Sequence, residues 1–134
     1  MDAWPEGVHR GRFLRNPVTG QTLTFLEFSP ELLVMETTYR AGGPQAPEHY
    51  HPLQEEHFVV LEGAVGVVVD GRERQLAAGE ELTLPPGSRH RFGALPDQLC
   101  RARWEVRPAL LTAEFLSTTF GLAQDGHATK GGVP

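Results

Sequence analysis

The chain has 134 residues, of which 40% are hydrophobic and 22% charged, values typical of one soluble globular domain and not of a disordered chain. Its net charge of −5 argues against nonspecific binding to nucleic acid, so we expect no DNA or RNA partner. The longest apolar run, near Val65 to Val69, is far shorter than a membrane span, so we expect no membrane partner.

The first residues, Met1 to His9, lack the basic start and apolar core of a secretory signal, which predicts a cytoplasmic location. Cys100 is the only cysteine, so an internal disulfide is excluded, as is usual in a reducing compartment. Because Cys100 lies in an alternating apolar and polar run, a buried, inert thiol is favoured over a nucleophile.

Short apolar runs with a periodicity near two, separated by turn residues, predict an all-β sandwich or barrel. Their spacing leaves no room for crossover helices, so parallel βαβ units are not expected. The predicted strands are Gln21 to Leu26, Leu32 to Tyr39, His57 to Glu62, Ala64 to Val69, Arg72 to Leu76, Glu81 to Leu84, His90 to Phe92 and Cys100 to Val106.

Two turns can be predicted from their residue types. Asp70-Gly71 separates two strands and suits a type I′ hairpin, which needs positive φ at both central residues. The run Leu84-Pro85-Pro86-Gly87 must end the preceding strand, because prolines cannot donate ladder hydrogen bonds and Gly87 can take a sharp turn. His90 then begins the next strand just past that turn.

A helix is predicted after Pro108, over Leu110 to Phe120. Leu111, Phe115 and Leu122 recur at roughly helical spacing and would form its packing face, with Gly121 as the C-cap. The tail that follows is Gly-rich and polar. We expect this C-terminal part either to cap the barrel or to cross to a partner subunit, with a slight preference for the cap.

Two histidines and a glutamate form the most informative segment of the chain. His49 and His51 are two residues apart, so on a strand both rings leave the same face and can meet at one ion. A turn after His51 would bring Glu56 back towards them, and His90 could reach the same point from a distant strand of a small barrel. Three imidazoles and one carboxylate suit a divalent transition metal such as iron, manganese, nickel, copper or zinc.

The two segments resemble the paired motifs of the cupin superfamily. The first motif, G-x5-H-x-H-x4-E-x6-G, matches at every specified position, and the second, G-x5-P-x-G-x2-H-x3-N, matches up to its final asparagine, which Ala94 replaces. The matching positions are Gly43, His49, His51, Glu56 and Gly63, then Gly79, Pro85, Gly87 and His90. The asparagine is not a ligand in the family pattern, so its loss affects the local turn and not metal binding.

The resemblance implies a double-stranded β-helix, or jelly-roll barrel, that holds a metal through His49, His51, Glu56 and His90. It also implies a small-molecule ligand or substrate and, frequently, a homodimer, for which the outer residues His57, Val59 and Leu61 are a candidate contact. We expect one domain, with N-terminal strands and an arm over residues 1–30, the barrel core over 31–107, and the helix and tail over 108–134.

Several neighbouring residues have competing interpretations. Glu55 competes with Glu56 as the carboxylate ligand, but the spacing to Gly63 selects Glu56. His9, His57 and His127 are interpreted as ordinary histidines, and His57 should face away from the ion. Inward residues Phe58, Val60 and Phe92 are predicted to line a substrate pocket, although core packing explains them at least as well. Met35, Tyr39 and Trp104 are candidates for the rim of the barrel mouth, but simple core packing is favoured for them.

The predicted function is that of a metal-dependent oxidoreductase, dioxygenase-like, acting on a small organic molecule that chelates the ion. Glu56 is also predicted to act as a catalytic base after leaving the ion. The alternatives are a cupin isomerase or lyase, and a noncatalytic module that binds a metal and a small ligand. Tetrahedral zinc held by all four residues would favour the noncatalytic module.

Overall fold

The structure is a computed structural model that describes residues 4–44 and 47–124. Within these ranges the chain forms eight β-strands followed by one α-helix, α1 (Thr112–Gln124). The strands are β1 (Phe13–Arg15), β2 (Thr22–Ser29), β3 (Leu32–Tyr39), β4 (Glu55–Val69), β5 (Arg72–Ala77), β6 (Glu81–Leu84), β7 (His90–Ala94) and β8 (Cys100–Arg107).

The strands form two antiparallel sheets that share β4. In the first sheet β1, β2, β3 and β8 pair in that order, and the N-terminal part of β4 lies between β8 and β6. In the second sheet the C-terminal part of β4 lies between β5 and β7. The two sheets enclose an apolar interior, so the predicted all-β jelly-roll with one C-terminal helix is confirmed.

Strand β4 passes from one sheet to the other at a bulge and a glycine. Its pairing with β8 shifts register between Val60 and Glu62, and Gly63 follows with a φ of +72°. A Cβ atom on Gly63 would lie 1.7 Å from the carbonyl oxygen of Leu99, so only glycine fits. The sequence predicted two strands separated here, which is wrong, because pairing on both sides of the bulge makes one strand of 15 residues.

The two turns predicted from the sequence are confirmed. Asp70 and Gly71, between β4 and β5, have φ values of +48° and +83°, as a type I′ hairpin turn requires. Gly87 has a φ of +85°, and the Ser88 N–H donates to the Pro85 carbonyl at 3.2 Å. The second turn ends β6 and places His90 as the first residue of β7.

The first strand was not predicted from the sequence. Strand β1 has three residues, and only the central one, Leu14, is buried. So short a segment carries too little alternation to be recognised alone, and its strand conformation comes from pairing with β2.

The helix differs from its predicted bounds of Leu110 to Phe120. Leu110 has a φ of +48°, which is outside the right-handed helical region, so α1 begins after it, at Thr112. Gly121 was predicted to be the C-cap, but it lies inside α1, which continues to Gln124.

The predicted packing face of the helix is wrong as well. Leu111 and Phe115 are 71% and 63% exposed, and Leu122 is only partly buried. Small residues let the helix approach the sheet closely, and two larger ones fill the remaining space. The apolar side chains that α1 buries are Ala113, Leu116, Phe120 and Ala123, and the polar Thr119 is buried with them.

The core consists of two clusters. The helix-side cluster packs α1 against β1, β2 and β3, and the barrel cluster fills the space between the two sheets. Trp104 on β8 packs against both. Major members of the helix-side cluster are Leu14, Leu23, Phe25, Leu33, Met35, Leu116 and Phe120. Major members of the barrel cluster are Phe58, Val60, Val65, Val67, Leu76, Leu84 and Phe92.

The part of the chain that the structure describes contains no helix long and apolar enough to cross a bilayer. The predicted polar tail and His127 fall in 125–134, which lie outside the described residues. The division into N-terminal arm, barrel core and C-terminal segment, the homodimer and the cytoplasmic location remain predictions.

Candidate metal centre

Backbone pairing brings His49 and His90 together. The N–H of each residue donates to the carbonyl of the other, at 3.0 Å and 2.9 Å, which makes them a hydrogen-bonded antiparallel pair. Side chains of such a pair leave the same face of the strands. The two ring centroids are therefore only 4.4 Å apart.

His51 joins this pair through the turn that precedes β7. The Gly87 N–H donates to the His51 carbonyl at 2.9 Å, which fastens the histidine segment to the turn. Its ring centroid lies 5.1 Å from that of His49 and 5.8 Å from that of His90. The two-residue spacing of His49 and His51 places both rings on one side, as predicted.

Glu56 enters the same cluster from β4. Alternation along this strand buries Glu56, Phe58 and Val60 and leaves Glu55 exposed, so of the two competing glutamates it is Glu56 that reaches the cluster. One ligand atom from each of His49, His51, Glu56 and His90 lies within 4.8 Å of the other three. The structure therefore brings together all four residues predicted to bind the metal.

Two of the imidazole rings are held in one tautomer by backbone carbonyls. His49 Nδ1 lies 3.0 Å from the Pro47 carbonyl, and His90 Nδ1 lies 3.1 Å from the Ser88 carbonyl. Carbonyl oxygens only accept, so both Nδ1 atoms carry a proton, and in the neutral ring it is then Nε2 that has the free lone pair. This is the arrangement that metal-binding histidines usually show.

Two buried polar atoms of the cluster fit a bound cation. Neither Glu56 Oε1 nor His90 Nε2, which are 3.6 Å apart, has a hydrogen-bond partner among the described residues. His51 Nε2 lies 2.6 Å from Glu56 Oε1 but without hydrogen-bond geometry. Buried polar atoms normally have a partner, and a cation between these nitrogen and oxygen atoms would supply it.

The protonation states of Glu56 and His90 also suit metal binding. Burial opposes ionisation of Glu56, but contacts with His51, His90 and Trp104 outweigh it and hold the pKa of the carboxyl below its usual value. Burial lowers the pKa of His90 more than Glu56 raises it, so this ring is neutral. The contact with Glu56 raises the pKa of His51, which favours the protonated ring, so a bound cation would have to displace that proton. An ionised carboxylate and neutral imidazoles are the forms that bind metals.

One side of the cluster is open to solvent. His49 is exposed and the His51 side chain is 32% exposed, whereas Glu56 and His90 are each only 2% exposed. A bound ion would therefore be reached from the side of His49 and His51. Iron, manganese, nickel and copper commonly accept five or six ligands, so four protein ligands leave room for a small molecule.

The predicted pocket residues lie beside the cluster in the barrel interior. Phe58, Val60 and Phe92 are 3%, 1% and 5% exposed, and the rings of Phe58 and Phe92 are 4.2 Å apart. Phe92 also stacks on Tyr39, and both line a crevice of about 30 Å³. A wider groove of about 420 Å³ along β4, β5 and β7 contains none of the four cluster residues. Contact of a substrate with Phe58, Val60 or Phe92 remains a prediction.

His57 and His9, the two described histidines that were predicted to be ordinary, lie outside the cluster. His57 faces outward, as expected, and its ring contacts Glu105 at 3.0 Å and Glu81 at 3.4 Å. The exposed His9 donates from Nδ1 to the Arg10 carbonyl at 3.0 Å.

The contact of Trp104 with Glu56 is a feature of the site that was not predicted from the sequence. The indole N–H of Trp104 donates to Glu56 Oε2 at 2.9 Å. The sequence did contain a signal, because alternation in β8 predicts that Trp104 is buried, and a buried indole N–H needs an acceptor. Glu56 is a buried acceptor on the facing strand.

Met35 packs in the helix-side cluster, so core packing is confirmed for it.

Gln54 connects the metal-site segment to the start of the helix. Its buried side-chain Nε2 lies 2.9 Å and 3.0 Å from the carbonyl oxygens of Pro108 and Ala109 and 2.7 Å from the Thr112 hydroxyl, so three acceptors share its two N–H groups. Gln54 lies between His51 and Glu56 in the chain, so this clamp fixes the turn that brings the carboxylate back to the rings.

Replacing Gln54 with alanine should lower the free energy of unfolding by about 1–3 kcal/mol, because it leaves buried acceptors without their donor. Urea denaturation of the metal-free protein measures this loss. The exposed Gln98→Ala variant is the control and should change stability by less than about 0.5 kcal/mol. Equal stability of the two variants would show that the clamp does not stabilise the fold.

Comparison with known proteins assigns the family. Residues 35–104, slightly more than half of the chain, match the Cupin domain family. The polyketide synthase CurC of Streptomyces cyaneus is 38% identical over 66 residues, which cover 49% of this chain and 43% of that protein. An oxidoreductase of Arthrobotrys oligospora is 32% identical over 92 residues, which cover 63% of this chain and 36% of that protein. The matched segments thus span less than half the length of these relatives.

Solved structures give the same assignment at the level of the fold. An RmlC-like cupin from Shewanella frigidimarina superposes with a TM-score of 0.64 and 23% identity, over 81% of this chain and 90% of that one. The domain match covers β4 to β7, parts of β3 and β8, and all four residues of the cluster. The chain belongs to the cupin superfamily.

Proposed function

We propose that the protein is a metal-dependent cupin enzyme that oxidises a small organic molecule, with His49, His51, Glu56 and His90 as the ligands of one divalent transition metal. The observation that carries this proposal is the convergence of four ligand atoms within 4.8 Å of one another, with one side open to solvent. A structural metal site is normally closed by its protein ligands, so the open side favours a site that binds a substrate. The similarity to a protein described as an oxidoreductase supports the oxidative chemistry.

The residues of the cluster and those around it would have different roles. A bound ion would supply Lewis-acid or redox chemistry at the open side. His49 and His51 border the approach of the substrate, and the buried Glu56 and His90 hold the deep side. Burial, with smaller contributions from Cys100 and Glu56, raises the pKa of the Tyr39 phenol well above its usual value, so Tyr39 keeps its proton near the cluster.

The direct test combines metal analysis with oxygen uptake. Protein purified without an affinity tag should contain about one transition-metal ion per chain. The metal-loaded form should consume oxygen with chelating substrates such as 1,3-diketones or catechols, and the stripped form should not. The failure of every metal-loaded form to consume oxygen with any of these compounds would contradict an oxidative function.

A second candidate is a lyase or isomerase that uses the same metal without oxygen. The similarity to a protein described as a polyketide synthase favours it, because polyketide intermediates carry carbonyl groups that a metal ion can polarise. Incubation with such carbonyl compounds under anaerobic conditions distinguishes the candidates. Product formation without oxygen would support the lyase or isomerase.

Glu56 is further proposed to act as a catalytic base. A Glu56→Gln variant assayed at saturating metal should lose at least about 100-fold in kcat, the usual contribution of a general base. The measurement is turnover per bound ion, so that weaker metal binding does not enter the result. A variant that kept full turnover per ion would remove this role.

Metal should also stabilise the folded protein. A ligand present at about 100 times its Kd adds about 2.7 kcal/mol to the free energy of unfolding, which for a domain of this size raises Tm by about 10 °C. Differential scanning calorimetry with and without added metal, and again after a chelator, measures the shift. An unchanged Tm at saturating metal would argue against a site in the folded state.

A further inference from the structure

Neighbouring strands on both sides of β8 hold the indole of Trp104 in the position from which it contacts Glu56. In β8 its Cα pairs with Phe58 on β4 and with Met35 on β3. Its ring stacks on that of Phe58, with centroids 5.5 Å apart and planes 16° from parallel. Glu56 is two residues before Phe58 on the same face, so it is the diagonal neighbour of Trp104, within reach of a large side chain.

The contact makes the two oxygens of Glu56 different. Oε2 accepts the Trp104 indole N–H at 2.9 Å. Oε1 faces the histidines, at 2.6 Å from His51 Nε2 and 3.6 Å from His90 Nε2. A free carboxylate has two equivalent oxygens and can bind a cation through either or both. Here one oxygen is occupied by a donor that cannot turn away, because its ring is stacked.

We propose that Trp104 is a positioning residue that selects which oxygen of Glu56 faces the metal site and holds the carboxylate as a one-oxygen ligand. The inference rests on the proposed metal centre and concerns how its carboxylate ligand is oriented. An indole N–H only donates, so it always faces the acceptor atom of whatever side chain occupies position 56.

The same contact would fix the orientation of a glutamine at position 56. The only acceptor of its amide is the carbonyl oxygen, so the Trp104 N–H would hold that oxygen and turn the NH₂ group towards the histidines. An NH₂ group cannot bind a cation. In a Glu56→Gln protein Trp104 therefore opposes metal binding, whereas in the wild type it promotes it.

The test is a cycle of four proteins: wild type, Trp104→Phe, Glu56→Gln and the double variant. Phenylalanine keeps a ring against Phe58 and removes the N–H. The Kd for Co²⁺ is measured by calorimetry, and the visible spectrum of bound Co²⁺ reports the ligand geometry. We expect Trp104→Phe to weaken Co²⁺ binding about 10-fold in the wild-type background, an effect typical of residues that orient metal ligands. In the Glu56→Gln background the same substitution should strengthen binding.

The reversal of sign separates orientation from a structural role, because a packing defect would weaken binding in both backgrounds. The same direction of change in both, or no change in either, would overturn the proposal. Absence of Co²⁺ binding by the wild type would instead overturn the metal centre itself, and with it this inference.

A second measurement leaves Trp104 in place. In the metal-free protein the indole N–H signal of Trp104 should move in the NMR spectrum when Glu56 becomes glutamine, because a neutral amide accepts a weaker hydrogen bond than a carboxylate. The signal of Trp4, which packs on Phe25 and Phe28, is the internal control. An unmoved Trp104 signal would show that the contact does not exist in solution and would also overturn the proposal.

Discussion

Replacing His90 with alanine should reduce metal binding by at least about 100-fold, and metal analysis of the purified variant should find less than about 0.1 ion per chain. The ring of His90 is buried, and its Nε2 has no hydrogen-bond partner within the described ranges. Its removal deletes a neutral imidazole ligand that no neighbouring side chain can replace. Calorimetric titration with Mn²⁺ or Co²⁺ measures the loss of affinity.

Because His90 is buried beside Phe92, the variant also leaves a cavity, so a second variant and a control are needed. His49→Ala removes an exposed ring from the same cluster and should lose metal without a comparable loss of stability. His9→Ala removes a histidine outside the cluster and should bind metal as the wild type does. Wild-type affinity in both His90→Ala and His49→Ala would contradict the assignment of these ligands.

Replacing Gly63 with alanine should produce the largest loss of stability, about 4 kcal/mol or failure to fold. The added Cβ would lie 1.7 Å from the Leu99 carbonyl oxygen, and the φ of +72° is unfavourable for alanine in addition. The collision lies where β4 changes sheets, so relief requires movement of β4 or of the segment before β8. Urea denaturation measures the loss.

Gly79 provides a matched control for this prediction. It has a φ of +89°, and no atom within 4 Å would meet a Cβ there among the described residues. Gly79→Ala should therefore cost only the conformational penalty, about 1–2 kcal/mol. Equal losses in the Gly63 and Gly79 variants would show that conformation, and not the close approach of two strands, requires glycine at position 63.

Much of the fold could be predicted from local sequence signals. Alternation in Leu32–Tyr39 and in Glu81–Leu84 gave strand bounds that match the structure, and Asp70-Gly71 gave the hairpin. Strand β1 could not be predicted, because its three residues are extended only through pairing with β2. The continuity of β4 through Gly63 was also missed, since it depends on partners on both sides of the bulge.

The presence of the C-terminal helix was predicted correctly, but the face that it buries was not. Periodicity favoured Leu111 and Phe115 as the buried face because they are large and apolar, but both are exposed. The sheet surface beneath α1 accepts Ala113 at close range and places Leu116 and Phe120 in the remaining space. Which face of a helix fits a sheet depends on the shape of that sheet, which a hydrophobic pattern alone does not contain.

The site divides in the same way. His49, His51, Glu56 and His90 could be predicted from their spacing and from the family motifs, and the structure brings them together. The contacts that orient the rings of His49 and His90 could not be predicted. Their acceptors, the Pro47 and Ser88 carbonyls, are backbone groups whose directions depend on the folded turns. The contact of Trp104 with Glu56 required knowledge of which β8 residue faces β4.

The most direct test of the metal centre is a crystal structure of the metal-loaded protein with diffraction data collected at the absorption edge of the bound element. The proposal predicts one strong anomalous peak about 2.0–2.3 Å from the Nε2 atoms of His49 and His90, a ring nitrogen of His51 and Oε1 of Glu56. No peak at this position, or a peak bound by other residues, would contradict it.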